Sequence, residues 1–307
     1  MDSAAPLGWR AGTADANGLA IAWEEAGPAQ GEPLLLVMGL GGQLIQWPEA
    51  LCSDLVARGF RVIRFDNRDI GLSGDANRGL HIHLQRDFLR AHLGMKIHAN
   101  YTLHDMAKDA VELMDALGIT RFHIAGASMG GMIAQITAAR HPERVKSLTS
   151  IMSTTNSPRL PGPKLPILLR MSGIGIRDRS REAMIRRSAE TFRLIGSPGY
   201  PTPHDTRLAN ATRAYDRAFR PGGLLRQTHA ILATGSFETL LPAIKAPTQI
   251  IHGLADPLVR PAAGQRCARL IGGARLELIP GMGHDFPAEL LPNWSKLIAA
   301  NAARAAL

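Results

Sequence analysis

A serine flanked by glycines directly follows a short apolar segment, in the pentad GASMG (126–130) after FHIA (122–125). The apolar segment predicts a buried strand, and residues 129–140 predict a helix. A chain that passes from strand to helix within one turn holds the serine in strained backbone angles, and glycines at 126 and 130 avoid collisions with the neighbouring strand and helix. The pentad therefore predicts a strand–turn–helix unit that exposes the hydroxyl of Ser128 as a nucleophile.

Other apolar segments alternate with helical patterns along the chain. The segment 19–25 alternates apolar and polar residues and predicts an early antiparallel strand. The remaining segments predict a parallel sheet covered on both faces, because helices separate them. Those strands are predicted over 34–39, 61–66, 122–127, 147–153, 248–253 and 275–280.

Two of the connecting helices have clear ends in the sequence. Pro48 opens one helix and Gly59 closes it. Apolar residues recur at helical spacing after Thr102, which forms a predicted capping pair with Asp105, and Gly118 ends that helix.

The strand pattern stops between residues 153 and 241 and resumes at 248–253. Helices are predicted there over 180–195, 205–219 and 222–234, after a proline-rich stretch. We interpret residues 1–153 and 242–307 as one core and residues 154–241 as a helical cap inserted into it. A cap of this length predicts an enclosed pocket for small or medium molecules.

A serine hydroxyl needs a base, and the base needs an acceptor that fixes its tautomer. His284 is the predicted base, because it follows a strand within a glycine turn, GMG (281–283), that we expect to be mobile. His252 is predicted to be buried within a strand end, and His123 begins a strand at the wrong edge. Asp256 is the predicted acceptor, since Asp285 adjoins the histidine and is more simply a helix N-cap.

An oxyanion formed on the substrate needs two backbone donors. One predicted donor is the amide of Met129, directly after the serine, and the other is the amide of Leu40 in MGLGG (38–42). Gly41 is an alternative for the second donor after a small shift of the loop. The apolar Met38 and Met152 are candidates for the substrate pocket or, equally, for the core.

The cysteines, the histidines and the lack of long apolar segments indicate which compartment and which cofactors to expect. Cys52 and Cys267 lie among apolar neighbours and are predicted to be buried free thiols. We see neither a signal peptide nor a membrane span, and we expect a cytoplasmic protein. The segment 73–100 carries His81, His83 and two further histidines, but no carboxylates at ligand spacing, so no metal and no cofactor is predicted.

The net charge of +9 is uneven: residues 154–242 hold fourteen Lys and Arg against six Asp and Glu. An arginine-rich surface explains this excess, and a rim that attracts anionic substrates is the alternative. Nucleic acid is not expected as a partner, because the sequence shows no platform of aromatic and basic residues on which bases could stack. The oligomeric state is not predicted.

Five motifs together resemble the α/β-hydrolase superfamily along nearly the whole chain: MGLGG, DNRDIGLS (66–73), GASMGG, HGLADPL and PGMGHD. The methionine–glycine before the oxyanion loop is similar to that of lidded bacterial esterases such as aclacinomycin methylesterase. The resemblance implies a sheet of eight strands with a helical cap, no cofactor and acyl-enzyme chemistry. It also implies that Arg68 forms a scaffold ion pair.

These observations predict a carboxylesterase that cleaves small or medium esters with Ser128, His284 and Asp256. The same three side chains also serve carbon–carbon bond hydrolases and lactonases, which stay open as alternatives. A binding protein on the same fold is the alternative from another class.

Overall fold

A computed structural model describes residues 7–77, 79–171 and 178–306. Eight strands in these ranges form one sheet, in the order β1-β2-β4-β3-β5-β6-β7-β8. β1 and β2 pair in antiparallel fashion, as do β2 and β4, and all other pairs are parallel. The strands are β1 Arg10–Ala16, β2 Leu19–Ala26, β3 Glu32–Val37, β4 Phe60–Phe65, β5 Phe122–Ala127, β6 Val145–Ile151, β7 Thr248–Gly253 and β8 Arg275–Ile279.

Ten α-helices accompany the sheet in the described ranges. They are α1 Glu49–Ala57, α2 Leu84–His92, α3 Leu103–Ala116, α4 Met129–Arg140, α5 Leu165–Met171, α6 Arg181–Ile195, α7 His204–Arg217, α8 Pro221–Thr234, α9 Pro261–Leu270 and α10 Leu291–Ala303. Short 3₁₀ turns cover Leu44–Gln46, Glu238–Ala243, Ala288–Leu290 and Arg304–Ala306.

Both faces of the sheet are buried, as the continuous apolar strands predict. In β3, Leu35 faces a core cluster that also holds side chains of α3, α4 and α9, whereas Leu36 faces a second cluster with side chains of α1 and α10. Because successive side chains of a strand point to opposite faces, both layers of helices pack on the same strands.

The predicted helix ends are confirmed for α3. The Thr102 side chain accepts from the N3 backbone while the Asp105 carboxylate accepts from the Thr102 amide at 2.7 Å. Gly118 adopts a positive φ of 71°, which allows the chain to leave the helix.

Some strand boundaries and one strand were not predicted. β1 has a polar, partly exposed sequence at the edge of the sheet, so its apolar pattern is weak. β6 begins at Val145 rather than 147, and it ends at Ile151, before the predicted end at 153.

Four helices, α5 to α8, lie between β6 and β7 in the part of that segment that the structure describes. Helices α6, α7 and α8 match the predicted stretches within two residues at each end. We call α5 to α8 the cap helices below. The segment 73–100 contains the unpredicted helix α2, which packs against α8.

The two cysteines are free and buried, as predicted. Burial raises the pKa of each thiol to about 12, so both stay protonated near neutral pH.

Candidate active site

The GASMG pentad forms the expected sharp turn between β5 and α4. Ser128 adopts φ 56° and ψ −121°, a conformation that costs free energy for any residue with a side chain. A Cβ atom on Gly126 would lie 2.1 Å from the carbonyl oxygen of Gly130, and one on Gly130 would lie 2.0 Å from that of Val37. Both positions therefore require glycine, since no larger residue fits the space.

The three predicted side chains lie in hydrogen-bond contact. His284 Nε2 is 2.9 Å from Ser128 Oγ, and His284 Nδ1 is 2.7 Å from Asp256 Oδ2. A carboxylate only accepts hydrogen bonds, so Nδ1 carries the proton and Nε2 is free to accept the serine proton. The geometry matches that of a nucleophile, a base and its orienting acid.

Asp256 is held by backbone groups of its own loop. Its Oδ1 accepts from the amides of Leu258 at 2.9 Å and Val259 at 2.8 Å, and its side chain is fully buried. These two donors fix the carboxylate and leave Oδ2 for the histidine ring.

The loop that carries His284 is firmly tied, which contradicts the expected mobility of GMG (281–283). The amide of His284 donates to the carbonyl of Ile195 at 2.7 Å, and the amide of Gly283 donates to Ser197 Oγ at 2.7 Å. On the other side, the ring of Phe286 packs 5.3 Å from that of Trp47. Gly281 and Gly283 therefore allow close packing against the segment after α6, and not free movement.

Asp285 is not a helix N-cap, contrary to the prediction. The short helical turn that follows is capped by Pro287, without a side-chain hydrogen bond. The carboxylate of Asp285 instead accepts from the hydroxyl of Ser197. Burial raises the pKa of Asp285, although the hydrogen bonds from Ser197 act in the opposite direction.

The MGLGG loop lies next to the serine. A Cβ atom on Gly39 would lie 3.1 Å from Ser128 Cβ, so the backbone approaches the nucleophile closely. The amides of Leu40 and Met129 have no acceptor among the described residues, whereas the amide of Gly41 donates to Gln227 Oε1 at 2.9 Å. This occupied amide favours Leu40 over Gly41 as the second donor.

The two pocket candidates lie in the core. Met38 and Met152 are 4% and 2% exposed and belong to the same buried cluster as Trp47 and Trp294. They pack beneath the site and present little surface to a substrate.

The other two histidines considered as bases have structural partners. His252 Nε2 donates to the carbonyl of Val259 at 2.8 Å, and burial lowers its pKa. His123 lies at the opposite edge of the sheet, where its Nδ1 is 2.8 Å from Ser147 Oγ. Burial and Lys146 lower the pKa of His123 to about 4, so it is neutral.

Arg68 pairs with Asp109, as the resemblance implies. Its Nε donates to Asp109 Oδ2 at 2.6 Å, and both side chains are almost fully buried. Within the described ranges, no three His, Cys, Asp or Glu side chains are placed to share a metal ion.

Many arginines of the cap helices have carboxylate partners. Arg217 reaches the buried Asp66 at 2.8 Å, and Arg226 reaches Asp69 at 2.8 Å. Burial is the largest single influence on Asp69 and acts to raise its pKa. The hydrogen bonds from Arg226 and Tyr101 and the other favourable contacts together outweigh burial, so the pKa lies below its usual value. These ion pairs join α7 and α8 to the loop after β4.

Comparison with known proteins agrees with this arrangement. A family model described as the α/β hydrolase fold matches residues 32–289. The chain belongs to this family. It shares 26% identity over 299 residues with rhodomycin D methylesterase from Streptomyces peucetius, covering 86% of this chain and 89% of that enzyme.

Two further similarities extend over most of the chain. A protein of Variovorax paradoxus, provisionally named a carbamate hydrolase, is 29% identical over 269 residues, which is 85% of this chain and 88% of that protein. The structure of a meta-cleavage product hydrolase from Pseudomonas fluorescens superposes with a TM-score of 0.72 at 20% identity, covering 98% of this chain and 99% of that one. The superposition supports the fold, and the methylesterase and carbamate hydrolase relatives support a hydrolase of esterase type.

In the part of the chain that the structure describes, no helix has both the length and the apolar character needed to cross a bilayer.

Three residues that support the site were not predicted from the sequence: Gln227, Ser197 and Gln43. Ser197 and Gln227 contact the site from the cap helices or their connections, and Gln43 holds the MGLGG loop to α7. None of them lies in a motif, so the sequence carries no signal for them.

Proposed function

We propose that this protein is a carboxylic ester hydrolase in which Ser128 forms an acyl-enzyme, His284 acts as general base and acid, and Asp256 orients the imidazole. The observation that carries the proposal is the 2.9 Å contact between His284 Nε2 and the hydroxyl of Ser128, whose backbone is strained. Asp256 contacts the other nitrogen of the same ring. A strained, accessible serine next to an oriented base is the arrangement that makes a hydroxyl nucleophilic.

The reaction proceeds in two halves. His284 takes the Ser128 proton as Oγ attacks the ester carbonyl carbon, and the carbonyl π electrons move to its oxygen. In the resulting tetrahedral intermediate, that oxyanion accepts hydrogen bonds from the amides of Met129 and Leu40. His284 then gives its proton to the departing alkoxide, leaving an acyl ester on Ser128. Water repeats the sequence, with His284 again as base, and releases the acid.

The substrate class rests on the relatives. Rhodomycin D methylesterase is named for the cleavage of a methyl ester, and the Variovorax paradoxus protein for carbamates. Both substrate types present a carbonyl carbon bonded to a heteroatom leaving group. We propose that this chain cleaves small or medium esters, in a site bordered by the cap helices.

The proposal is tested with nitrophenyl and methyl esters. We expect Ser128→Ala to lower kcat by at least about 10⁴-fold, because the variant loses the nucleophile. Ser147→Ala is the matched control, since Ser147 lies beside His123 at the far edge of the sheet. A fluorophosphonate should label the wild type and the control at Ser128 but not the Ser128→Ala variant. Ester hydrolysis that persists in Ser128→Ala would refute the assignment.

The same panel includes lactones and vinylogous diketones. A kcat/KM for either class that exceeds that of all esters would replace the proposed substrate while keeping the roles of the three side chains. A wild type that neither turns over nor takes the fluorophosphonate would support a binding protein.

A further inference from the structure

One buried glutamine of the cap helices spans two loops of the core. Gln227 of α8 is fully buried; its Oε1 accepts from the amide of Gly41 and its Nε2 donates to the carbonyl of Arg68, both at 2.9 Å. The donor and the acceptor lie on opposite ends of one planar amide, so only one orientation of the side chain satisfies both. Gln227 therefore fixes the position of the loop after β3 relative to the loop after β4.

The loop after β3 has little rigidity of its own. Glycines occupy positions 39, 41 and 42, and Gly41 has a positive φ of 68°. Glycine leaves the backbone many conformations, so such a loop needs outside contacts to adopt one of them. α8 supplies them at close range: a Cβ atom on Gly41 would lie only 2.8 Å from Leu224 Cδ1.

A second glutamine anchors the same loop to α7. Gln43 Nε2 donates to the carbonyls of Ala214 at 2.6 Å and Ala218 at 3.0 Å, and its Oε1 accepts from Arg217 at 2.7 Å. The loop after β3 is thus bound to the cap helices at both Gly41 and Gln43. Leu40, which precedes the first anchor, keeps its amide free beside the nucleophile.

We propose that Gln227 is a positioning residue, which fixes the Leu40–Gly41 peptide and thereby aims the Leu40 amide at the oxyanion. Because a peptide group is planar, a hydrogen bond on the Gly41 amide also fixes the orientation of the Leu40 carbonyl and limits the rotation of Leu40. This inference rests on the proposed ester hydrolysis. It assigns to the cap helices a part in stabilising the transition state, besides covering the substrate.

The test compares Gln227→Met with Thr228→Ala. Methionine keeps the length of glutamine but loses both hydrogen bonds, whereas Thr228 is half-buried and its hydroxyl donates to the Leu224 carbonyl within α8. We expect kcat/KM of Gln227→Met to fall about ten- to a hundred-fold, mostly through kcat, since a misplaced donor costs less than a missing one. The control should keep the wild-type value.

The readout specific to the oxyanion site is the inhibition constant of phenylboronic acid, which forms a tetrahedral adduct with a catalytic serine. In Gln227→Met this constant should rise by the same factor as kcat/KM falls, with all sites still labelled by fluorophosphonate at the end point. Activity equal to that of the control, or lost activity with unchanged boronate affinity, would overturn the inference.

A second variant decides the matter if Gln227→Met does not fold. In Gln227→Glu the protonated carboxyl can reproduce both hydrogen bonds, whereas the carboxylate would face the Arg68 carbonyl oxygen. The ratio of its kcat/KM to that of the wild type should therefore rise as pH falls, and a constant ratio would contradict the proposal. The charged groups of α8 and its neighbours already have partners: Arg68 with Asp109, Arg226 with Asp69 and Asp75, and His229 beside Asp87.

The outcomes separate this inference from the proposed function. If the wild type hydrolyses no ester, the proposed function fails. If the wild type is active and Gln227→Met equals Thr228→Ala, only the role of Gln227 fails.

Discussion

The exchange Asp256→Asn changes one atom of the site and tests how the imidazole is oriented. In the native side chain, Oδ1 accepts from two backbone amides, of Leu258 and Val259. An asparagine must place its carbonyl oxygen there, because an NH₂ group would face two donors. Its NH₂ group then occupies the place of Oδ2, 2.7 Å from His284 Nδ1.

The consequence is the wrong tautomer of His284. An NH₂ group at that place donates to Nδ1, so the imidazole proton moves to Nε2 and faces Ser128 Oγ. The ring can no longer accept the serine proton. In serine hydrolases this exchange lowers kcat about 10⁴-fold, and we expect a loss of about 10³- to 10⁴-fold, or about 4 to 5.5 kcal/mol in activation free energy.

The assay measures kcat on a nitrophenyl ester together with the ¹⁵N and ¹H resonances of the His284 ring. The wild type should carry its proton on Nδ1 and the variant on Nε2. Asp216→Asn is the control, because Asp216 pairs with Arg181 on the exposed surface of α7. The reasoning is refuted if Asp256→Asn retains activity within tenfold of the wild type, or if its proton stays on Nδ1.

Two further substitutions test contacts around the site. Arg68→Met should lower the free energy of unfolding in urea by about 3–5 kcal/mol, because it leaves the buried Asp109 carboxylate without its cationic partner, although the side-chain amide of Asn17 still donates to it; a change below about 1 kcal/mol would contradict this. Ser197→Ala removes the acceptor of the Gly283 amide and the donor to Asp285. We expect its kcat to fall about tenfold with KM unchanged, since a displaced histidine slows proton transfer. Steady-state kinetics would contradict this if kcat were that of the wild type.

The sheet was predictable because its strands repeat simple local patterns. Apolar segments such as that of β5 are long enough to be recognised one at a time, and the glycines of the pentad leave few conformations for the turn. The edge strand β1 escaped prediction because its exposed face is polar and its apolar face is narrow. Helix α2 departs from the usual burial pattern, because Phe88 and Leu89 are exposed while the charged Asp87 is buried.

The site was predictable in its residue types and not in its supports. Chain order and strand ends identify Ser128, Asp256 and His284, since each follows a strand of the parallel sheet. The rigidity of the histidine loop depends on Ile195 and Ser197, about ninety residues earlier in the chain. Such contacts arise from the packing of distant segments, and a single sequence gives no pattern for them.

The contacts that anchor the loop after β3 to α7 and α8 have a practical consequence for engineering. Exchanging the cap helices between relatives is a direct route to new substrate preference, but here these helices also hold the loop after β3 in place. A hybrid that lacks equivalents of Gln227 and of the carbonyls of residues 214 and 218 would lose these anchors. Its loop after β3 would then have no fixed conformation. An exchange of the cap helices should therefore include the loop after β3 from the same relative.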